Sequence, residues 1–200
     1  MRVSDDRYSR DRLRLDLALR FIRHEARTHT IRSWTGLTDD RIRKLYRSYL
    51  KERTDRAVPR HRGKSPQQPG FFTRTPSLQH ETALLASLYC LLGLVPLKSL
   101  PDGGRTLPGV LRGELLCQAY EAYRALLPTP QITFEHAVLL ITSLSRGEVL
   151  KLAGCSDCSS VLVVDRLRLR DARCLYCMRP DPSRMTVQQR AAHAELATAR

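Results

Sequence analysis

Four cysteines near the end of the chain constrain its fold more than any other feature. They form two C-x2-C pairs, Cys155 with Cys158 and Cys174 with Cys177, and fifteen residues separate the pairs. Each pair can direct two thiolates at one cation, and the spacer is long enough for a short hairpin that brings the pairs together. Four thiolates at about 2.3 Å make the closed tetrahedral shell of a structural zinc ion. The spacing therefore predicts one Zn2+ per chain, with an iron–sulfur or redox site, or two disulfides, as alternatives.

The start of the chain and its apolar runs predict the cellular compartment of the protein. The opening residues MRVSDDRYSRDRLR contain no apolar signal-peptide region. The longest largely apolar run, residues 83–95, has thirteen residues, whereas a helix needs roughly 20 to span a bilayer. We therefore expect a cytoplasmic protein with no membrane contact. In that reducing compartment, clustered cysteines indicate a metal site rather than disulfides.

The basic charge of the chain lies at its two ends. The formal net charge is +14, and residues 1–50 carry 13 Lys and Arg against 7 Asp and Glu, while residues 51–80 carry 7 against 2. Residues 81–150 are nearly neutral, with 5 against 6, and residues 151–200 are basic again, with 9 against 5. This distribution is typical of a packed middle whose flanks contact a polyanion. DNA and RNA are the preferred candidates, and an anionic membrane ranks last because no long basic amphipathic helix with aromatic anchors is present.

Two N-terminal helices are predicted from apolar spacing. A helix is expected over residues 11–30, although the alternating leucines at its start also fit a strand. Its two apolar rows predict a broad buried face and consist of Leu13, Leu17 and Phe21, and of Leu15, Leu19 and Ile22. A second helix follows the Gly36 turn, with Thr38 as its N-cap. Apolar residues recur along one side of it at Ile42, Leu45, Tyr46 and Tyr49.

The other side of this second helix is basic. It carries the predicted DNA contacts Arg41, Arg43, Lys44 and Arg47. A helix, a glycine turn and a basic helix resemble a helix-turn-helix, in which the second helix reads DNA. Arg32 departs from that motif, which favours a small residue there. The alternative is a surface helix with a solvated basic face.

The secondary structure of the next segments is predicted from helix-breaking residues and from apolar periodicity. Residues 53–76 lack periodicity and form a basic linker or arm, anchored at its far end by Phe71 and Phe72. Apolar helices are expected over residues 78–95, 110–127 and from the Thr133 cap to Leu144, as a bundle or a partner surface.

The four-cysteine segment is expected to contain two strands. They are predicted at residues 148–152 and 161–164. Beyond the second, a period of two would put the arginines on one face and Leu167 and Leu169 on the other. These arginines are further DNA-contact candidates, or else they offset the charge of a zinc–thiolate centre: Arg166, Arg168 and Arg170.

These patterns predict a mainly α fold. It comprises a helical body, a helix-turn-helix-like N-terminal part and a small C-terminal zinc-ribbon-like four-cysteine module. The predicted segments are N-terminal helices over 1–52, the linker or arm over 53–76, the body over 77–146, the four-cysteine module over 147–182 and a tail over 183–200.

Sequence motifs for catalysis are missing. The chain has no G-x-x-x-x-G-K-[ST], no G-x-G-x-x-G after a strand and no H-E-x-x-H. Its carboxylates form no recognisable acid–base pair, and thiolates bound to zinc are not free to act as nucleophiles. We therefore expect no catalytic residues and no enzyme activity.

The order of the segments resembles the FlhC family, the zinc-bearing subunits of the bacterial flagellar master transcriptional activator. Three stretches carry the resemblance, which covers roughly residues 10–185. They are LTDDRIRKLYRSYL at 37–50, PGFFTRTP at 69–76, and the cysteine-bearing stretches SRGEVLKLAGCSDC and CLYCMRPDPSR. The arm is longer and more basic than the family pattern.

The resemblance implies a DNA-binding activator of flagellar operons. Members of the family act in a heterohexamer of four FlhD and two FlhC chains, in which the FlhC chain supplies most DNA recognition and zinc supports its fold. Such an activator is also expected to contact RNA polymerase. The alternatives are a stand-alone zinc-ribbon protein that binds nucleic acid, including RNA, and a structural adaptor whose basic face is merely solvated.

Overall fold

A computed structural model describes residues 3–52, 61, 63–96, 109–169 and 171–178. Within these residues the chain is mainly helical, as predicted, and ends in a two-stranded antiparallel hairpin followed by a short helix. The predicted tail over 183–200 lies outside the described residues. The elements in chain order are α1 (Val3–Arg23), α2 (Thr28–Thr35), α3 (Asp39–Glu52), a 3-10 helix (Pro69–Thr73), α4 (Pro76–Leu91), α5 (Gly109–Leu126), α6 (Phe134–Arg146), β1 (Leu150–Gly154), β2 (Val161–Asp165) and α7 (Leu175–Met178).

The prediction of one helix over residues 11–30 is wrong, because the chain turns between α1 and α2. Glu25 adopts a left-handed conformation with φ of 61°. The N–H of Ala26 donates to the Phe21 carbonyl at 3.0 Å, which closes the C-terminal end of α1. The expected broad buried face is also shorter than predicted, since Leu13 is 54% exposed while Leu17 is fully buried.

A three-residue turn joins α2 to α3. Gly36 ends α2 with φ of 70°, a conformation that favours glycine, and its N–H donates to the Arg32 carbonyl at 2.9 Å. Thr38 precedes α3 as expected, and its hydroxyl oxygen accepts the N–H of Arg41 at 3.5 Å. Leu37 and Ile42 are buried. Helices α1, α2 and α3 pack against one another.

Helices α4, α5 and α6 form the predicted helical body. Thr133 is the N-cap of α6, as predicted, and its hydroxyl oxygen accepts the N–H of His136 at 3.4 Å. Helix α5 approaches α1 closely at Gly113, where an added Cβ would lie 2.6 Å from a Leu17 methyl carbon. Any larger residue at this crossing would therefore require the Leu17 side chain to shift. No helix in the described ranges is long and apolar enough to cross a bilayer.

One hydrophobic core joins the N-terminal helices, the body and the hairpin. The predicted anchoring by Phe71 and Phe72 is confirmed, because Phe72 is fully buried and Phe71 stacks on His136 with ring centroids 4.1 Å apart. Strand β2 packs against α4, and Leu150 and Val163 belong to the same buried cluster as the helices.

The sequence period after β2 predicted the wrong structure. The two strands pair from Leu150 opposite Asp165 to Gly154 opposite Val161, and β2 ends at Asp165. The Asp165 carboxylate accepts the N–H of Leu167 at 2.8 Å, which turns the chain away from the sheet. Arg166 and Arg168 therefore share no strand face, Leu167 and Leu169 are 84% and 99% exposed, and Arg170 lies outside the described residues.

Candidate metal centre and basic helix

The four predicted cysteine ligands lie together. Cys155 and Cys158 occupy the turn between β1 and β2, Cys174 immediately precedes α7, and Cys177 lies within α7. The four sulfur atoms are all within 4.8 Å of one another, and those of Cys158 and Cys174 are 3.7 Å apart. A tetrahedral ion with metal–sulfur distances of about 2.3 Å has sulfur–sulfur edges of about 3.8 Å. The four cysteines could therefore hold one metal ion.

Backbone hydrogen bonds fix the turn that presents the first pair. The N–H of Cys155 donates to the Ser160 carbonyl at 2.9 Å, and the N–H of Ser159 donates back to the Cys155 carbonyl at 2.9 Å. Ser159 has φ of 60°, which lets the chain reverse tightly between the strands. The N–H of Ser156 donates to the Ala172 carbonyl at 2.9 Å and joins the two cysteine-bearing segments directly.

Two further N–H groups point at the sulfur atoms themselves. The N–H of Cys174 donates to the Cys155 sulfur at 3.3 Å, and the N–H of Cys177 donates to the Cys174 sulfur at 3.4 Å. Such bonds favour a thiolate over a thiol. The N–H of Cys174 is the main reason why the pKa of Cys155 is lowered to about 6, and the N–H of Cys177 lowers the pKa of Cys174.

The pKa of Cys177 moves the other way. It is raised, first by the hydrogen bond of its thiol to Cys174 and then by the one to Cys158. The hydrogen bonds within the cluster therefore favour proton loss at Cys155 and Cys174 and oppose it at Cys177. A bound cation would release the proton of Cys177, because the sulfur ligands of a metal are deprotonated.

The sequence pattern did not mark Ser160 and Ala172, whose backbone carbonyls support the cysteine turn. Ser160 also places its hydroxyl 3.2 Å from the Cys158 sulfur. The small polar residues after the first C-x2-C were the one available signal for Ser160. Every residue has a backbone carbonyl, so the identity of Ala172 gives no sign that its carbonyl accepts this hydrogen bond.

The four basic residues predicted on α3 are all exposed. Arg41 lies 3.7 Å from an Asp11 carboxylate oxygen, and Arg43 lies 3.0 Å from an Asp40 carboxylate oxygen. Exposed ion pairs of this kind contribute about 0–1 kcal/mol. These side chains can therefore exchange their carboxylate partners for another anion at little cost.

The two described arginines after β2 lie on another part of the chain. Arg166 donates to the Gly147 carbonyl, which holds it against the turn between α6 and β1. Arg168 is exposed, and its carbonyl accepts a hydrogen bond from Lys151 at 3.5 Å. Near the cysteines, Arg173 forms an exposed ion pair with Asp157 at 3.4 Å.

The chain thus combines a four-cysteine cluster with an exposed basic helix. Comparisons with protein-family models and with curated proteins found no match to this chain.

Proposed function

We propose that this chain is a DNA-binding transcriptional activator of flagellar operons, as its resemblance to the FlhC family implies, and that it has no enzymatic activity. The observation that carries the proposal is the exposed cluster of Arg41, Arg43, Lys44 and Arg47 on α3. A helix with this charge and exposure suits the phosphate-lined major groove.

The geometry of α2 and α3 supports a helix-turn-helix role. Their connection has three residues and contains Gly36, the length and composition typical of that motif. Leu37 is buried in the turn, and α1 packs against both helices. In this proposal α2 packs against α3 and holds it in position, and the N-terminal half of α3 faces the DNA.

The metal in the proposal is one structural Zn2+ bound by Cys155, Cys158, Cys174 and Cys177. Four thiolates give a closed shell with no place for a substrate. The 3.7 Å sulfur separation suits a single ion, whereas a cluster of several iron atoms would hold its cysteines farther apart. Bound zinc would tie the β1–β2 turn to α7, and the binding free energy would contribute to folding.

The helical body is the proposed surface for a FlhD-type partner, in a cytoplasmic heterohexamer of four such chains and two of the present one. Leu91, Leu111 and Leu126 are 81%, 46% and 61% exposed on α4 and α5. Residues 81–150 carry nearly balanced charge, so DNA has little attraction to this region. Binding to RNA polymerase is the remaining step expected of an activator.

The decisive experiment measures DNA binding after removal of the α3 charges. A variant with alanine at Arg41, Arg43, Lys44 and Arg47 is compared with a control that has alanine at four other exposed cations, Arg12, Arg14, Arg74 and Arg146. Fluorescence anisotropy with a flagellar-promoter duplex, with the partner present, gives Kd at several salt concentrations.

We expect the α3 variant to bind at least tenfold more weakly and the control to bind nearly as the wild type does. The slope of log Kd against log salt concentration should fall by about one unit for each phosphate that the variant no longer neutralises. Equal affinity of the two variants for DNA would show that the basic side of α3 is solvated and does not contact DNA. Equal binding to promoter DNA and to arbitrary RNA would instead favour a stand-alone zinc-ribbon protein.

A further inference from the structure

A cavity of about 360 Å³ lies beside the turn between α1 and α2. Its volume falls within the range of small-molecule sites. One wall is apolar and includes Tyr120, Ile132 and Phe134, and the lining also carries Arg23, Arg27 and Arg124. An apolar wall combined with several guanidinium groups is the arrangement expected of a site for an organic anion.

A wider cleft of about 750 Å³ adjoins the cavity, and both are lined by Arg27 and His61. The cleft runs between the start of α2 and residues 63–67 of the arm. Lys64 adds further positive charge there, whereas Arg43 is paired with Asp40 at 3.0 Å, and no carboxylate is among the described residues that line the cleft. We call the cavity and the cleft together the Arg27 site.

Two carboxylates, Glu25 and Glu135, line the same cavity, but neither forms an ion pair with its arginines. Glu25 pairs with His61 at 2.7 Å. Glu135 accepts the backbone N–H of Arg27 at 2.8 Å and the hydroxyl of Thr30 at 3.0 Å. Within the described ranges, the three guanidinium groups form no ion pair with any carboxylate.

Arg27 also has a buried donor without an acceptor. Its Nε is buried and has no hydrogen-bond partner among the described residues, while its Nη1 donates to the Lys64 carbonyl. A buried N–H without a partner is costly, but this atom has less than 1 Å² of exposed surface, so an acceptor in the cavity could bond it only if the Arg27 side chain shifted. The planar guanidinium fork matches the paired oxygens of a phosphate.

We propose that the Arg27 site binds a small phosphorylated molecule. Arg27 holds the phosphate, Arg124 adds charge, and the organic part rests on the wall formed by Tyr120 and Phe134. The arginines and Lys64 of the site outnumber its two carboxylates, and an excess of cations favours a doubly charged phosphate over a single carboxylate. This binding does not depend on the proposed function.

The Arg27 site is joined to α3 through the α1–α2 turn. The hydroxyl of Tyr46 on α3 donates to the Ala26 carbonyl at 2.6 Å, next to Arg27. A ligand bound to Arg27 would therefore affect the positions of α3 and of the arm residues around Lys64. The ligand is expected to change DNA affinity, and this second statement rests on the proposed function.

The test uses the full zinc-loaded chain, with pyrophosphate as the probe and citrate and chloride at matched ionic strength as controls. Isothermal titration calorimetry gives Kd for the wild type, Arg27→Gln, Arg124→Gln and the control Arg146→Gln. Arg27→Gln keeps the backbone N–H that bonds Glu135, so the turn should persist. Arg124 is exposed and outside the core, which makes Arg124→Gln the variant to rely on if Arg27→Gln does not fold.

We expect pyrophosphate to bind the wild type and Arg146→Gln equally, and to bind Arg27→Gln and Arg124→Gln at least tenfold more weakly. Equal weakening in all three variants would mean general attraction to a chain of net charge +14 and would overturn the site. Citrate binding as tight as pyrophosphate would overturn the phosphate preference.

Binding of duplex DNA, but not pyrophosphate, at Arg27 would make the DNA backbone the source of the phosphate and overturn a small-molecule site. Arg27-dependent pyrophosphate binding by a chain that fails to bind DNA would support the site and reject the proposed function. DNA binding through α3, without any pyrophosphate binding, would support the proposed function and reject the Arg27 site.

Discussion

At the scale of single residues, Cys174 takes part in several of the hydrogen bonds within the four-cysteine cluster. It is buried, its N–H bonds the Cys155 sulfur, and its own sulfur accepts the N–H of Cys177. We expect Cys174→Ser to lose the metal and most of the stability of the hairpin, because structural zinc contributes about 10–16 kcal/mol in small zinc modules. Metal analysis of the purified variant should find well under one zinc per chain.

Cys90→Ser is the matched control for this prediction. Cys90 is half-buried on α4, and it is not part of the four-cysteine cluster. The control should keep one zinc per chain and nearly the stability of the wild type. Full zinc occupancy in Cys174→Ser would show that this residue is not a ligand.

A second residue-scale prediction concerns Glu121, which joins α5 to α1. Its carboxylate accepts two hydrogen bonds from Arg20, at 2.7 and 3.0 Å, and lies 2.8 Å from His24 Nε2. We expect Glu121→Gln to lower the free energy of unfolding by about 1 kcal/mol near neutral pH, the upper end for partly exposed pairs. Urea unfolding gives this value, and Glu148→Gln, which alters an exposed carboxylate, should change little.

The effect of Glu121→Gln should depend on pH in a defined direction. The hydrogen bonds from Arg20 are the main reason why the pKa of Glu121 lies below its ordinary value of 4.5. A lowered carboxyl pKa means that the stabilisation is fully present above pH 4.5 and is lost as the pH falls through the folded-state pKa. The difference between wild type and variant should therefore narrow below pH 4.5, and a constant difference would contradict the ion-pair account.

At the scale of elements, the α2–α3 turn depends on the conformation of Gly36. An added Cβ there would meet no atom within 4 Å, so the cost of Gly36→Ala is conformational alone. A left-handed conformation costs an ordinary residue roughly 1–2 kcal/mol. We expect a decrease of about that size in the free energy of urea unfolding. Gly70→Ala is the matched control, because it has equal space but no positive φ, and an equal decrease in both variants would rule out the conformational cause.

Element boundaries show what the sequence could predict. The cap at Thr133 and the turn at Gly36 follow from local chemistry, and both were predicted. The turn after α1 has no such signal, because Glu25, rather than glycine, takes the left-handed conformation. Tertiary packing favours this turn, since His24 stacks on Phe134 with ring centroids 5.1 Å apart.

The end of β2 was missed for a related reason. The alternation of Arg166, Leu167 and Arg168 fits a strand as a pattern, but the hydrogen bond from Leu167 to Asp165 competes locally with strand pairing. The approach of the four cysteines, by contrast, was predictable from their spacing alone, although the backbone carbonyls that support their turn were not. The Arg27 site was not predictable, since its residues come from the α1–α2 turn, the arm and the α5–α6 region.

At the scale of the whole molecule, the four-cysteine hairpin and the helices are one packed body. Strand β2 lies on α4, and Leu150 and Val163 are buried in the core shared with the helices. The exposed apolar residues of the body lie near the ends of α4 and α5, away from its packed centre. In the proposed function, a partner chain covers these exposed residues, which lie at both ends of the α4–α5 pair.

The exposed leucines of α4 and α5 should determine how the chain associates in solution. Expressed alone, the chain should form homo-oligomers or aggregates through its exposed leucines. With a FlhD-type partner it should elute as one larger complex with two partner chains for each copy. Leu91→Ser combined with Leu126→Ser should weaken this complex at least tenfold in size-exclusion chromatography with light scattering, because two apolar side chains leave the interface. Leu13→Ser, on α1 and 54% exposed, is the control. A monomer that stays soluble without a partner and still binds its promoter specifically would contradict the heterohexamer and favour a protein acting alone.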